Sequence, residues 1–140
     1  MTIEVRYYSR GGNTRKVAQA IAKAAGVKAL DCSIPITKPV DLLFIGGSVY
    51  GFGLDDVTKS FISNLDPSLV KNAAVFGTSA IVKKGNSEIT ALLKDKNIPV
   101  LSESFYCRGE FTIMHKGHPN SKDLANAEKF ALSAVKTVKL

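Results

Sequence analysis

Two periodicities alternate along this chain. Five segments read as strands: Ile3–Tyr8, Val27–Cys32, Leu42–Gly46, Ala73–Gly77 and Val100–Cys107. Two of them, "LLFIGG" and "AAVFG", are continuous apolar runs that end in glycine, the pattern of strands buried on both faces of a parallel sheet. Between the strands, apolar residues recur every three or four positions, which predicts amphipathic helices.

The first predicted helix sets Val17, Ala18, Ile21, Ala22 and Ala25 on one stripe and Arg15, Lys16, Gln19 and Lys23 on the other, and Gly26 ends it. The second carries Val57, Phe61 and Leu65 at spacing four, with Pro67 beyond its end. The third holds Ile89, Leu92 and Leu93, with Asn86 or Ser87 as its N-cap. The last runs from about Ser121 and aligns Leu124, Ala127, Ala131, Ala134 and Val138. Strand and helix alternating in this way predict one doubly wound α/β domain spanning 1–140. In such sheets ligands bind beyond the carboxyl ends of the strands, so the strand-to-helix loops are the places to look for chemistry.

Composition narrows the classes. With 45% hydrophobic and 22% charged residues the chain is an ordinary globular protein. No apolar run reaches the length of a membrane helix, and the first residues lack a signal-peptide core, so a cytoplasmic location is expected. Cys32 and Cys107 stand far apart in no CxxC arrangement, which predicts two reduced structural thiols. The net charge of +7 is spread along the chain without dense runs or interleaved aromatics, which argues against a nucleic-acid interface.

Three loops carry the candidate chemistry. "SRGGNT", Ser9 to Thr14, joins the first strand to the first helix. Its glycines allow successive amides to face inward as an anion nest, and the helix start adds its positive end. The same residues also suit a well-capped tight turn. The loop lacks the lysine of a P-loop, the GxGxxG of a dinucleotide site and the cysteine of a phosphatase, and no acidic cluster of a phospho-receiver precedes it. "GGSVYGFGLDD", Gly46 to Asp56, places Tyr50 and Phe52 among glycines, which suits a flat ligand that stacks, or packing on a neighbouring helix. "GTSAIVKKGN" offers small hydroxyl residues and backbone amides after the fourth strand.

Together these loops resemble the flavodoxin family over nearly the whole chain. The sharpest match is the opening segment Ser9, Arg10, Gly11, Gly12, Asn13, Thr14, where the family has hydroxyl residues around Gly-Asn-Thr. The resemblance implies a three-layer sandwich with a five-stranded parallel sheet of order 2-1-3-4-5. It further implies FMN as cofactor, with those six residues around its phosphate. Ser48, Val49, Tyr50, Gly51, Phe52 and Gly53 would flank the flavin ring, Tyr50 as the stacking side chain and Gly51–Phe52 as the peptide facing N5. Thr78, Ser79 and Ala80 would meet the pyrimidine side. No catalytic residue and no metal site is expected.

Three departures from the family pattern stand out. Gly11 replaces a hydroxyl residue of the cradle, a loss of roughly 1.5–3 kcal/mol if that hydroxyl bonded a charged phosphate. Arg10 could offset it. Arg6 lies in the first strand, where a buried charge requires a partner. The basic charge predicts redox partners with acidic docking surfaces. The function implied is electron transfer through FMN between protein partners. Two alternatives are a small FMN-dependent NAD(P)H:quinone-type reductase and a flavodoxin-fold interaction module without flavin. His115 and His118 are expected in a surface loop, and Cys107 as a buried thiol.

Overall fold

The computed structural model describes residues 1–50, 53–79, 84–108 and 117–139. In chain order the elements are β1 (Ile3–Tyr7), α1 (Asn13–Ala25), β2 (Ala29–Asp31), β3 (Leu42–Tyr50), β4 (Gly53–Leu54), α2 (Asp56–Ser63), β5 (Ala73–Ser79), α3 (Lys84–Asp95), β6 (Phe105–Arg108) and α4 (Ser121–Lys139). A 3₁₀ turn over Pro67–Leu69 links α2 to β5.

Five strands run parallel in the order β2-β1-β3-β5-β6, and β4 folds back antiparallel on the end of β3. With β4 set aside this is the expected 2-1-3-4-5 arrangement. The sheet separates two apolar cores. Ile3, Val5, Phe44, Ala74, Phe76 and Cys107 face α1 and α4, where Val17, Ala18, Ile21, Ala127, Phe130 and Ala131 meet them. Leu43, Ile45, Ala73 and Val75 face the other way, towards Phe61, Ile62, Ile89 and Leu93 of α2 and α3. Because alternate residues of β3 and β5 are buried on opposite faces, no polar position interrupts the runs.

Several strand boundaries differ from expectation. β3 and β5 continue past their glycines to Tyr50 and Ser79. Gly46 is not a turn residue: a Cβ there would lie 2.2 Å from the Phe76 ring, so the glycine marks a close approach of neighbouring strands. The fifth parallel strand is shorter than Val100–Cys107. Val100 makes one bridge to Ala73, the exposed Ser102–Ser104 leave the sheet, and pairing resumes at Phe105.

The second helix is rotated relative to the predicted stripe. Asp55 caps it, accepting the Thr58 N–H at 2.6 Å, and this phase buries Thr58, Phe61 and Ile62. Val57 is exposed, and Leu65 is buried beyond the helix end. The third helix starts at Lys84, so Asn86 is not its cap. Its side-chain amide donates to the Phe105 carbonyl at 2.8 Å, occupying a backbone acceptor of the edge strand β6.

The β2–β3 connection carries no helix. Arg6, only 2% exposed, fills that side of the sheet. Its Nε donates to the Ile34 carbonyl at 2.8 Å, a terminal nitrogen reaches the Pro35 carbonyl at 3.4 Å, and the same nitrogen pairs with Glu4 at 2.9 Å. One guanidinium thus supplies the cross-links that a packed helix would otherwise provide.

Candidate functional site

The carboxyl ends of β1, β3 and β5 lie side by side, and the loops singled out from the sequence leave from them. The first begins where the Tyr8 N–H donates to the Gly46 carbonyl at 3.1 Å, which extends β1 along β3. Ser9 Oγ then accepts the Gly12 N–H at 3.0 Å, closing a tight turn. Gly12 is the N-cap of α1 at φ 94°, a left-handed conformation that glycine adopts at little cost.

The start of α1 is electropositive. Its cap contributes no side-chain hydrogen bond, and its first turn holds no acid but does hold Arg15 and Lys16. Cations at a helix N-terminus oppose the helix dipole, so a bound negative group there would be stabilised by both. Space for one exists: a Cβ added at Gly11 or Gly12 would meet nothing within 4 Å. The residues present therefore fit a phosphate-bearing cofactor. Arg10 is exposed beside this turn and, with Tyr8, Leu54 and Lys59, lines a cavity of about 380 Å³.

Thr14 is placed differently from its neighbours. It is fully buried, and its Oγ1 lies 2.7 Å from both Ser48 Oγ on β3 and Thr78 Oγ1 on β5. Ser48 and Thr78 are direct partners in the β3–β5 register. Ser48 Oγ also donates to the Tyr8 carbonyl at 3.4 Å. Since a carbonyl can only accept, one order satisfies every group: Thr78 donates to Thr14, Thr14 to Ser48, and Ser48 to Tyr8.

The second loop is braced from behind. Asp55, 7% exposed, accepts from the Ser48 N–H at 3.0 Å and the Thr58 hydroxyl at 2.8 Å, and its own N–H donates to the Ser48 carbonyl. Glu88 of α3 accepts the Leu54 N–H at 3.2 Å and flanks Gly53. Neither acid was singled out from the sequence. An Asp three residues before Thr58 is a readable cap signal, whereas the reach of Glu88 across the sheet end leaves no local trace.

Of the predicted ring-flanking residues, Ser48 and Gly53 are placed as above, and Val49, Tyr50 and Ser79 are placed through their backbone. β4 pairs Val49 with Leu54 and Tyr50 with Gly53. Gly51, Phe52 and Ala80 lie outside the described residues, as does His115. His118 Nδ1 lies 2.6 Å from Asp123. Partial burial works to raise the Asp123 carboxyl, but the Asn120 N–H and His118 outweigh it and hold the group below its ordinary value. Among the described residues no cluster of His, Cys, Asp and Glu could hold a metal ion.

Both cysteines are free and buried, and burial is the main cause that pushes each thiol up to about 12. Asp31 and Asp55 raise Cys32 further, as Asp123 does Cys107. At pH 8 both remain protonated and enclosed, so a thiol reagent such as DTNB is expected to modify neither in the folded protein and both in denaturant. Rapid labelling of the native chain would contradict this placement.

An open, doubly wound sheet of five parallel strands, with its first turn tied to the next two strand ends, defines a protein of flavodoxin-like fold. The chain belongs to the flavodoxin family: the family described as "Flavodoxin domain" matches residues 5–136. Membership implies a flavin cofactor. No curated protein sequence matches the chain.

Solved structures share the fold at low identity. A flavodoxin from the domain Archaea superposes with a TM-score of 0.85 at 18% identity, covering 100% of both chains. Flavodoxin 2 from Bacillus cereus gives 0.74 at 17% identity, covering 98% of this chain and 99% of that one. The rubredoxin oxygen:oxidoreductase of Desulfovibrio gigas gives 0.80 at 13% identity, with 99% of this chain matching 36% of the larger protein.

Proposed function

We propose that this chain binds FMN through its phosphate and carries electrons between protein partners. The observation that carries this reading is the start of α1: a glycine N-cap, no acid in its first turn, and open space over Gly11 and Gly12. The backbone around Gly12 would receive the phosphate, with Ser9 and Asn13 beside it. Val49–Gly53 and Ser79–Ala80 would flank the ring. When bound, the flavin supplies the redox chemistry. The protein's own residues hold the phosphate, orient the ring and set the local charge.

That charge points to the partner class. Arg10, Arg15, Lys16 and Lys59 are all exposed around the turn and the adjacent cavity. Such a collar would steer acidic docking surfaces towards the site, with association weakening as salt rises. No described helix is long and apolar enough to cross a membrane.

Titration of the purified chain with FMN, followed by quenching of flavin fluorescence, tests the reading. Saturable binding is expected, and no association at micromolar FMN would refute it. Rapid NADPH oxidation by the loaded protein alone would favour the reductase alternative.

Gly11 offers a sharper check. It lies outside the left-handed region and has room for a side chain. Gly11→Ser should add a hydrogen bond to a charged group, about 1.5 kcal/mol or more, and so tighten FMN roughly tenfold. Unchanged affinity would mean that the phosphate does not approach this position.

A further inference from the structure

We propose that Thr14, Ser48 and Thr78 form a buried hydroxyl node through which the anion turn sets the geometry of the two ring-flanking loops, with Thr14 acting as a positioning residue and not as a phosphate ligand. The proposal rests on the flavin reading above.

Three observations carry it. First, the Thr14 side chain faces inward. It is 0% exposed and its hydroxyl is shared between two partners at 2.7 Å, each on a different strand. Second, those partners sit in the last residues of β3 and β5, just before the ring-flanking segments. Ser48 immediately precedes Val49–Gly53, and Thr78 immediately precedes Ser79–Ala80. Third, the chain of donors closes on the Tyr8 carbonyl, at the start of the turn itself. A displacement of the first turn of α1 must therefore stretch bonds to both strand ends at once.

The rest of the node is rigid. Ser48 is clamped through its backbone N–H and C=O by Asp55, which also holds the first turn of α2. Among groups of one donor each, a single fully satisfied order resists reorientation, because reversing any member leaves a buried polar group unpaired. Removing one hydroxyl breaks that order. Valine at position 14 would keep the shape but leave the Thr78 proton without its acceptor.

The two roles separate experimentally when FMN is saturating. A phosphate ligand governs how tightly FMN binds but leaves the ring environment of the saturated complex unchanged. A node that sets the flanking loops alters that environment as well. The test compares unaltered protein with Thr14→Val, Thr14→Ser, Thr78→Val and the double variant Thr14→Val/Thr78→Val. For each, FMN affinity is measured, and then the visible absorption and midpoint potentials of the saturated complex.

The expected result is a loss of roughly tenfold in affinity for Thr14→Val, together with a shifted flavin band and shifted potentials. Thr14→Ser should restore both, and the double variant should resemble the single ones, since all break the same chain. Lower affinity with an unchanged spectrum and unchanged potentials would make Thr14 a phosphate ligand and overturn the node while leaving the flavin reading intact. If Thr14→Val does not fold, Ser48→Ala, which only removes an oxygen, decides by the same readouts. Failure of the unaltered protein to bind FMN would refute both readings together.

Discussion

Alanine at Gly46 is expected to lower the thermal midpoint by roughly 10 °C, the stability loss being about 3 kcal/mol. The added Cβ would lie 2.2–2.5 Å from three carbons of the Phe76 ring. Neither side can yield cheaply. Phe76 is fully buried, and Gly46 pairs with Tyr7 on one side and Phe76 on the other in the middle of the sheet. Shortening the ring should recover part of the loss, so Gly46→Ala/Phe76→Leu is expected to be more stable than Gly46→Ala alone. Denaturation of the three proteins, followed by circular dichroism, checks this. A Gly46→Ala midpoint equal to that of the unaltered chain would mean that β3 and β5 are further apart than described.

Loss of Arg6 should be the second large effect, about 2–3 kcal/mol for Arg6→Met. Breaking a buried ion pair costs roughly 3–5 kcal/mol when the abandoned charge has no access to water. Here Glu4 is 34% exposed and can be solvated, so the ionic part is discounted. What remains is the loss of donors to the Ile34 and Pro35 carbonyls, which hold down a connection that has no helix. Arg6→Lys should fall between the two, since an ammonium keeps the charge but cannot span those acceptors as the planar fork does. Glu4→Gln should cost less than Arg6→Met. Chemical denaturation decides, and equal losses for Glu4→Gln and Arg6→Met would show that the ion pair and not the carbonyl contacts dominates.

Much of this architecture was legible because local and global signals agree. The apolar runs at Leu42 and Ala73 announced strands covered on both sides, and the stripe from Val17 to Ala25 announced α1 almost to the residue. Legibility failed where a distant contact decides a local state. Gly46 looked like the end of a strand, but its missing side chain admits a ring from the neighbouring strand. Val57 sat at the right interval for a buried face, yet the Asp55 cap set the helix at a different rotation.

The site divides in the same way. Ser9 to Thr14 could be recognised as a tight turn leading into a helix, since its signals lie in consecutive residues. The inward turn of Thr14 could not be read, because its partners Ser48 and Thr78 are 34 and 64 residues away. Arg6 announced a need for partners without naming them. Its acceptors are backbone carbonyls, which carry no side-chain signature.

The apolar stripe of α1 that carries the turn is completed by Ala127, Phe130, Ala131 and Ala134 of α4, more than a hundred residues further along. The groups proposed to hold the cofactor belong to the first eighty residues, yet the helix that follows the turn is covered on one side only, by β1, β3 and β5, until the far end of the polypeptide docks. Capture of the proposed cofactor would thus depend in part on closure of the whole fold, and the yellow of bound flavin would report a finished molecule instead of a half-made one.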